Sequence, residues 1–156
     1  MKAATVHELK QELKSSTPAE LLEMCMRLAR FKKENKELMT YLLFEAHDPE
    51  AFIRSVKAEM DELFSEVNTS GVYLAKKTLR KILRVVNKHI RYCGLATAEI
   101  ELLAYFCTQM KELGLPIEKH PVLNNIYLNQ LKRIHKAMGT IHEDLQYDYK
   151  RMIEEL

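Results

Sequence analysis

The sequence has no tryptophan and only four glycines, four prolines and three cysteines in 156 residues. So little glycine and proline argues against a sheet protein with many tight turns and against a disordered chain. The cysteines Cys25, Cys93 and Cys107 are odd in number, widely spaced and never arranged as Cys-x-x-Cys. That pattern builds no disulfide framework and points to a reducing cytoplasm. Long apolar runs are also missing. Stretches such as Tyr41 to Phe44 are far too short to span a bilayer. The first residues, Met1-Lys2-Ala3-Ala4-Thr5-Val6-His7-Glu8, turn polar at once, and no apolar signal-peptide core follows. No lipidation motif is present. The expectation is a cytoplasmic protein with no membrane partner.

What is present favours helix. Leu, Lys, Glu, Met and Ala, the strong helix formers, dominate. The hydrophobic fraction of 47% and the charged fraction of 29% are those of an ordinary globular chain. The length suits a single domain over residues 1–156. Thr5-Val6-His7-Glu8 and Thr17-Pro18-Ala19-Glu20 both read as capping boxes. The second carries proline at the first helical position, where its missing donor costs nothing. A charged bend near Phe31 to Asn35 precedes a third helix bearing Leu38, Met39 and Tyr41 to Phe44. Asp48 caps a fourth helix with an apolar stripe of Phe52, Ile53, Val56, Met60, Leu63, Phe64 and Val67. Asn68-Thr69-Ser70-Gly71 is a loop. A fifth helix spans 72–93 and stops at Gly94. Thr97 is the expected cap of a sixth, ending at Gly114. A last one runs from Val122 towards the C-terminus, with Gly139 as a kink or break. The fold expected is all-α, with about seven helices joined by short loops. It reads as an antiparallel helical bundle or a short right-handed α-superhelix of helical hairpins.

Charge is distributed unevenly along this pattern. Residues 1–66 carry a net −3, residues 67–98 a net +7 with no acid at all, and residues 99–156 a net −2. The middle block holds Lys76, Lys77, Arg80, Lys81, Arg84, Lys88 and Arg91. At 100° per residue these fall within an arc of roughly 140°, and Leu79, Ile82, Leu83, Val86 and Ile90 fill the adjoining arc. Like charges such as Lys77/Lys81 and Arg80/Arg84 repel by a few tenths of a kcal/mol per pair. A chain selected for stability alone would intersperse acids here. Three partners answer the stripe. One is an acidic neighbour within the chain, for which Asp61, Glu62 and Glu66 stand ready. Another is nucleic acid, held through its phosphates. The third is an acidic protein or a second copy of the chain. Tyr73 and Tyr92 bracket the stripe, as base-stacking platforms or as half-buried helix ends.

Thr5-Val6-His7-Glu8-Leu9-Lys10-Gln11-Glu12-Leu13, followed by Glu20-Leu21-Leu22, resembles the first helix and part of the second of the SAP motif. That family is a small helix–turn–helix module, and the resemblance implies DNA binding. Here Ser15-Ser16-Thr17-Pro18 replaces the family's Gly-Leu turn and its Gly-x-Lys. Asp48-Pro49-Glu50-Ala51-Phe52-Ile53-Arg54 resembles the start of a HEAT-type helix pair, which bears on architecture alone. As a whole the chain resembles small all-helical bacterial proteins with no assigned function.

Catalytic patterns are few. There is no Glu-x-x-His, no His-Glu-x-x-His and no P-loop. Tyr73-x-x-x-Lys77 matches a dehydrogenase pair without the glycine-rich turn that would give it meaning. His135 and His142, with Glu143 or Asp144, form a candidate metal site if Gly139 leaves them on one face. Cys93 lies near Lys88, His89 and Arg91, which would lower its thiol pKa. Cys25, Cys107, Met24, Met39, Met60 and Met110 read as core. A methionine-rich peptide groove is the other use of such residues. The expectation is a non-enzymatic interaction or scaffold domain without cofactor or small-molecule substrate. It binds a protein partner or itself through the seven basic residues of the fifth helix. The alternative is a nucleic-acid-binding accessory protein contacting phosphates through the same residues.

Overall fold

The computed structural model describes residues 1–156, which divide into two compact units, Met1–Phe44 and Glu45–Leu156. All regular structure is helical, and no strand forms.

The first unit contains α1 (Val6–Ser15), α2 (Pro18–Phe31) and α3 (Lys33–Thr40). Both expected capping boxes form. Glu8 accepts from the Thr5 amide at 2.7 Å, and Glu20 accepts from the Thr17 amide at 2.7 Å. The expected bend is one extended residue, Lys32 (φ −142°, ψ 146°), after which α3 packs back on α2. The Asn35 side-chain amide fixes this turn by donating to the Leu28 carbonyl at 2.8 Å. A π-helical turn, Tyr41–Glu45, follows α3. Between Met1 and Phe44 only Tyr41 is buried. Met24 and Cys25, expected in the core, are exposed, and Met39 is half-buried. Helical spacing put them on an apolar face, and this unit is too small to cover that face.

The second unit is a bundle of α4 (Pro49–Ser65), α5 (Val72–Cys93), α6 (Ala96–Glu112), α7 (Pro121–Met138) and α8 (Glu143–Glu154). The total is thus eight α-helices instead of about seven, because α7 ends at Met138 and a four-residue break that begins with Gly139 separates it from α8. α6 lies at the centre and packs against α4, α5, α7 and α8. Its Ile100, Leu102, Leu103, Phe106, Cys107 and Met110 are all fully buried. Met60 from α4 and Leu79, Ile82 and Val86 from α5 close on them. The expected cap Thr97 lies inside α6; the helix begins at Ala96 with no side-chain cap. Gly94 ends α5 at φ 64°, a left-handed conformation in which glycine has no Cβ penalty.

One polar network crosses the bundle. Arg133 on α7 donates from Nη2 and Nε to Oε1 of Glu99 on α6, at 2.6 and 3.1 Å. Its Nη1 reaches Asn87 Oδ1 on α5 at 2.6 Å and Gln130 Oε1 at 3.4 Å. Gln130 is the one buried polar residue, and its amide donates to the Ile126 carbonyl at 2.9 Å. The network thus joins α5, α6 and α7 through Asn87, Glu99 and Arg133.

Candidate partner-binding surface

The position of the cationic residues follows from how α5 is seated. Ala75, Leu79, Ile82, Val86 and Ile90 are buried, so the helix can turn only one way. Lys77, Arg80, Lys81, Arg84 and Arg91 are exposed on the opposite side, and Lys76 and Lys88 are half-buried along its edge. From Lys76 to Arg91 the stripe runs about 22 Å at 1.5 Å per residue. Tyr73 lies in the same arc, 71% exposed, with the Lys76 ammonium 4.9 Å from its ring centroid. Tyr92 is half-buried.

The three acids expected to neutralise the stripe behave differently from one another. Glu66 reaches Lys81 at 3.6 Å, in a pair whose side chains are 54% and 62% exposed. Such a pair contributes at most about 1 kcal/mol. Asp61 faces α6 and accepts from the Tyr105 hydroxyl at 2.5 Å. Glu62 pairs with no cation of α5. No carboxylate comes within 4.0 Å of Lys77, Arg80, Arg84 or Arg91. Elsewhere in the same unit some charges pair between helices: Lys57 with Glu101 at 3.2 Å, Arg133 with Glu99, and His89 Nε2 with Glu59 at 2.8 Å. What sets α5 apart is that its unmatched cations share one arc of a single helix.

The remaining sequence candidates separate. His135 is exposed in the last turn of α7, and His142 caps α8 beyond the Gly139 break. They share no helix face, and His142 Nδ1 lies 3.3 Å from Asp144 alone. No cluster of three or more His, Cys, Asp and Glu side chains stands within reach of one ion. Cys93 corrects the expectation of a lowered thiol pKa. Burial pushes it up, outweighing the backbone amides near Leu95 and Gly94, and the thiol donates to the Ile90 carbonyl at 3.4 Å. Burial pushes Cys107 up to about 12. Only Cys25 is exposed. A disulfide reagent such as Ellman's should accordingly titrate one thiol rapidly in the native protein and three after denaturation. Fast reaction of Cys93 would contradict this burial.

Two tyrosines tie helices together next to the surface. The Tyr105 hydroxyl is pushed up to about 12, first by burial and then by its bond to Asp61. Tyr149 is pushed up to about 12 in the same way, by burial and then by its 2.9 Å bond to Glu101. A raised folded pKa stabilises below the unfolded value near 10 and loses that contribution as pH rises through about 12. Chemical denaturation at successive pH values should show stability falling across that window. The fall should be shallower in Tyr105→Phe/Tyr149→Phe, whose stability at neutral pH is lower.

No protein-family model matches this chain, and neither a curated protein nor a solved structure does. No helix is long and apolar enough to cross a membrane.

Proposed function

We propose that this chain is a non-enzymatic helical interaction module that binds a polyanion through the cationic face of α5, and that the polyanion is the phosphate backbone of a nucleic acid. One observation carries the reading: Lys77, Arg80, Arg84 and Arg91 are exposed together on a rigid helix with no carboxylate beside them. Holding like charges in one arc costs stability at every i,i+4 pair, and a facing row of phosphates removes that cost.

An acidic protein is the second reading, and the composition of the face weighs against it. Protein interfaces place aromatic or aliphatic anchors at their centre, inside a charged rim. Here the middle of the face is Arg80, Lys81 and Arg84, and its exposed aromatic residue, Tyr73, stands at one end. Lys and Arg without apolar interleaving suit phosphate contacts, which position a duplex or a strand without reading its bases.

Fluorescence anisotropy with labelled double-stranded DNA, single-stranded DNA and RNA at a series of salt concentrations tests this. Four to six phosphate contacts predict that log K falls with log salt at a slope of about −3 to −5. Absence of binding at low salt, or binding indifferent to salt, would remove nucleic acid and leave an acidic protein surface as the partner.

A further inference from the structure

The unit Met1–Phe44 carries a second feature, which does not rest on the reading of α5. Of the 19 large hydrophobic residues exposed in the protein, 12 lie between Met1 and Phe44. Part of this surface is concave. A cavity of about 580 Å³ opens between α2 and α3. Its apolar floor is Met26, Ala29, Met39, Leu43 and Phe44, and its rim is Arg30, Lys32, Lys33 and Lys36. The π-helical turn adds to the floor. It presents Leu42, Leu43 and Phe44 in succession, 60%, 65% and 67% exposed. Lys33 pairs with Glu37 at 3.5 Å, while no carboxylate comes within 4.0 Å of Arg30, Lys32 or Lys36.

We propose that this groove is a docking site for an acidic amphipathic helix of a partner protein. Two helices with exposed facing residues lack a third to close their core, and a helix laid along the groove supplies it. Unbranched Met26 and Met39 adapt to the incoming side chains. The rim sets the sign of the guest. Residues 27–36 hold five basic side chains and one acidic one, so a guest helix gains by flanking its apolar stripe with Glu or Asp. A basic helix such as α5 of a second copy is repelled.

The probe is a fluorescein-labelled peptide of about 18 residues, long enough to lie along both helices, with Leu at i, i+3, i+4 and i+7 and Glu elsewhere. Its controls are a scrambled peptide of the same composition and one with Lys in place of Glu. Binding is read by anisotropy on the full-length chain carrying Arg80→Glu/Arg84→Glu/Arg91→Glu, so that the stripe on α5 cannot capture the acid. The amphipathic acidic peptide should bind at least about tenfold more tightly than the scrambled one, and the lysine peptide should not bind. Arg30→Glu/Lys36→Glu should weaken binding about tenfold and flatten its salt dependence. Leu43→Ser/Phe44→Ser, at exposed positions whose change leaves the far-UV circular dichroism intact, should weaken it about tenfold with the salt dependence kept. Equal affinity for the scrambled peptide would overturn the proposal. So would binding that ignores both groove variants, or retention on phosphatidylglycerol vesicles with no peptide bound. None of these outcomes bears on nucleic-acid binding by α5, which the wild-type salt series decides separately.

Discussion

Reversing three unpaired charges of the α5 face, Arg80→Glu/Arg84→Glu/Arg91→Glu, should lower nucleic-acid affinity by about 100-fold or more near physiological salt. The salt slope should shrink by about three units, one for each phosphate that no longer meets a cation. The same variant should be no less stable than the wild type. In the native helix Arg80 stands four residues from Arg84, and Arg84 four from Lys88, so like charges face one another along the surface. The substitutions place carboxylates three or four residues from Lys76, Lys77, Lys81 and Lys88, turning those repulsive pairs into attractive ones worth a few tenths of a kcal/mol each, which offsets the 80/84 pair that stays like-charged and the cation lost from the last turn of α5 at Arg91. None of the three arginines has a partner carboxylate to lose. Binding down with melting temperature level or raised is the signature of charge kept for a partner. A melting temperature that falls by several degrees would instead mean that the stripe is neutralised within the fold, and the polyanion reading would fail. The choice of residues matters. Lys81 is left in place because Glu66 lies 3.6 Å from it, and its reversal would break that ion pair as well as weaken the hold on phosphate.

The orientation of α5 was legible in the sequence because two periodic signals agree there. Apolar residues from Leu79 to Ile90 and basic residues from Lys76 to Arg91 fill adjoining arcs, so burying one exposes the other. The neutralising acids were not legible in the same way. Asp61, Glu62 and Glu66 are close to α5 in sequence, but helical phase points Asp61 at Tyr105 on α6 and leaves only Glu66 within reach. Sequence proximity ranks acids by distance along the chain, whereas pairing depends on angle around the helix. Thiol chemistry went astray for a related reason. Lys88, His89 and Arg91 are neighbours of Cys93 in sequence, yet burial sets its pKa. The groove of the first unit was hidden for a different reason. Met39 and Leu43 carry the helical spacing of core residues, and spacing does not say whether enough chain is present to cover them. The acid-poor run from Arg27 to Lys36 was the available signal, since a covered apolar face rarely needs a rim of one sign.

The largest loss of stability is expected from Phe106→Ala, at about 3–5 kcal/mol, read as a drop in the midpoint of urea or thermal unfolding. Phe106 is 0% exposed on α6, the helix that touches α4, α5, α7 and α8. Its ring centroid lies 5.5 Å from that of Phe64 on α4, the rings inclined at 52°. That geometry favours aromatic pairs beyond the area they bury. Removing the ring therefore costs its transfer free energy, the pair with Phe64 and the cavity left behind. The cavity cannot close cheaply, because Leu102, Leu103 and Met110 on the same helix are fully buried against other helices. Conversely, an exposed apolar residue of the first unit, for example Leu22→Ala at 64% exposure, should change unfolding by less than about 1 kcal/mol. The contrast separates two uses of the same residue type: leucines and phenylalanines of Glu45–Leu156 hold that unit together, while those around the α2–α3 groove are held in reserve for a guest. A stability loss at Leu22 as large as that at Phe106 would show that this exposed side chain is covered in the free protein.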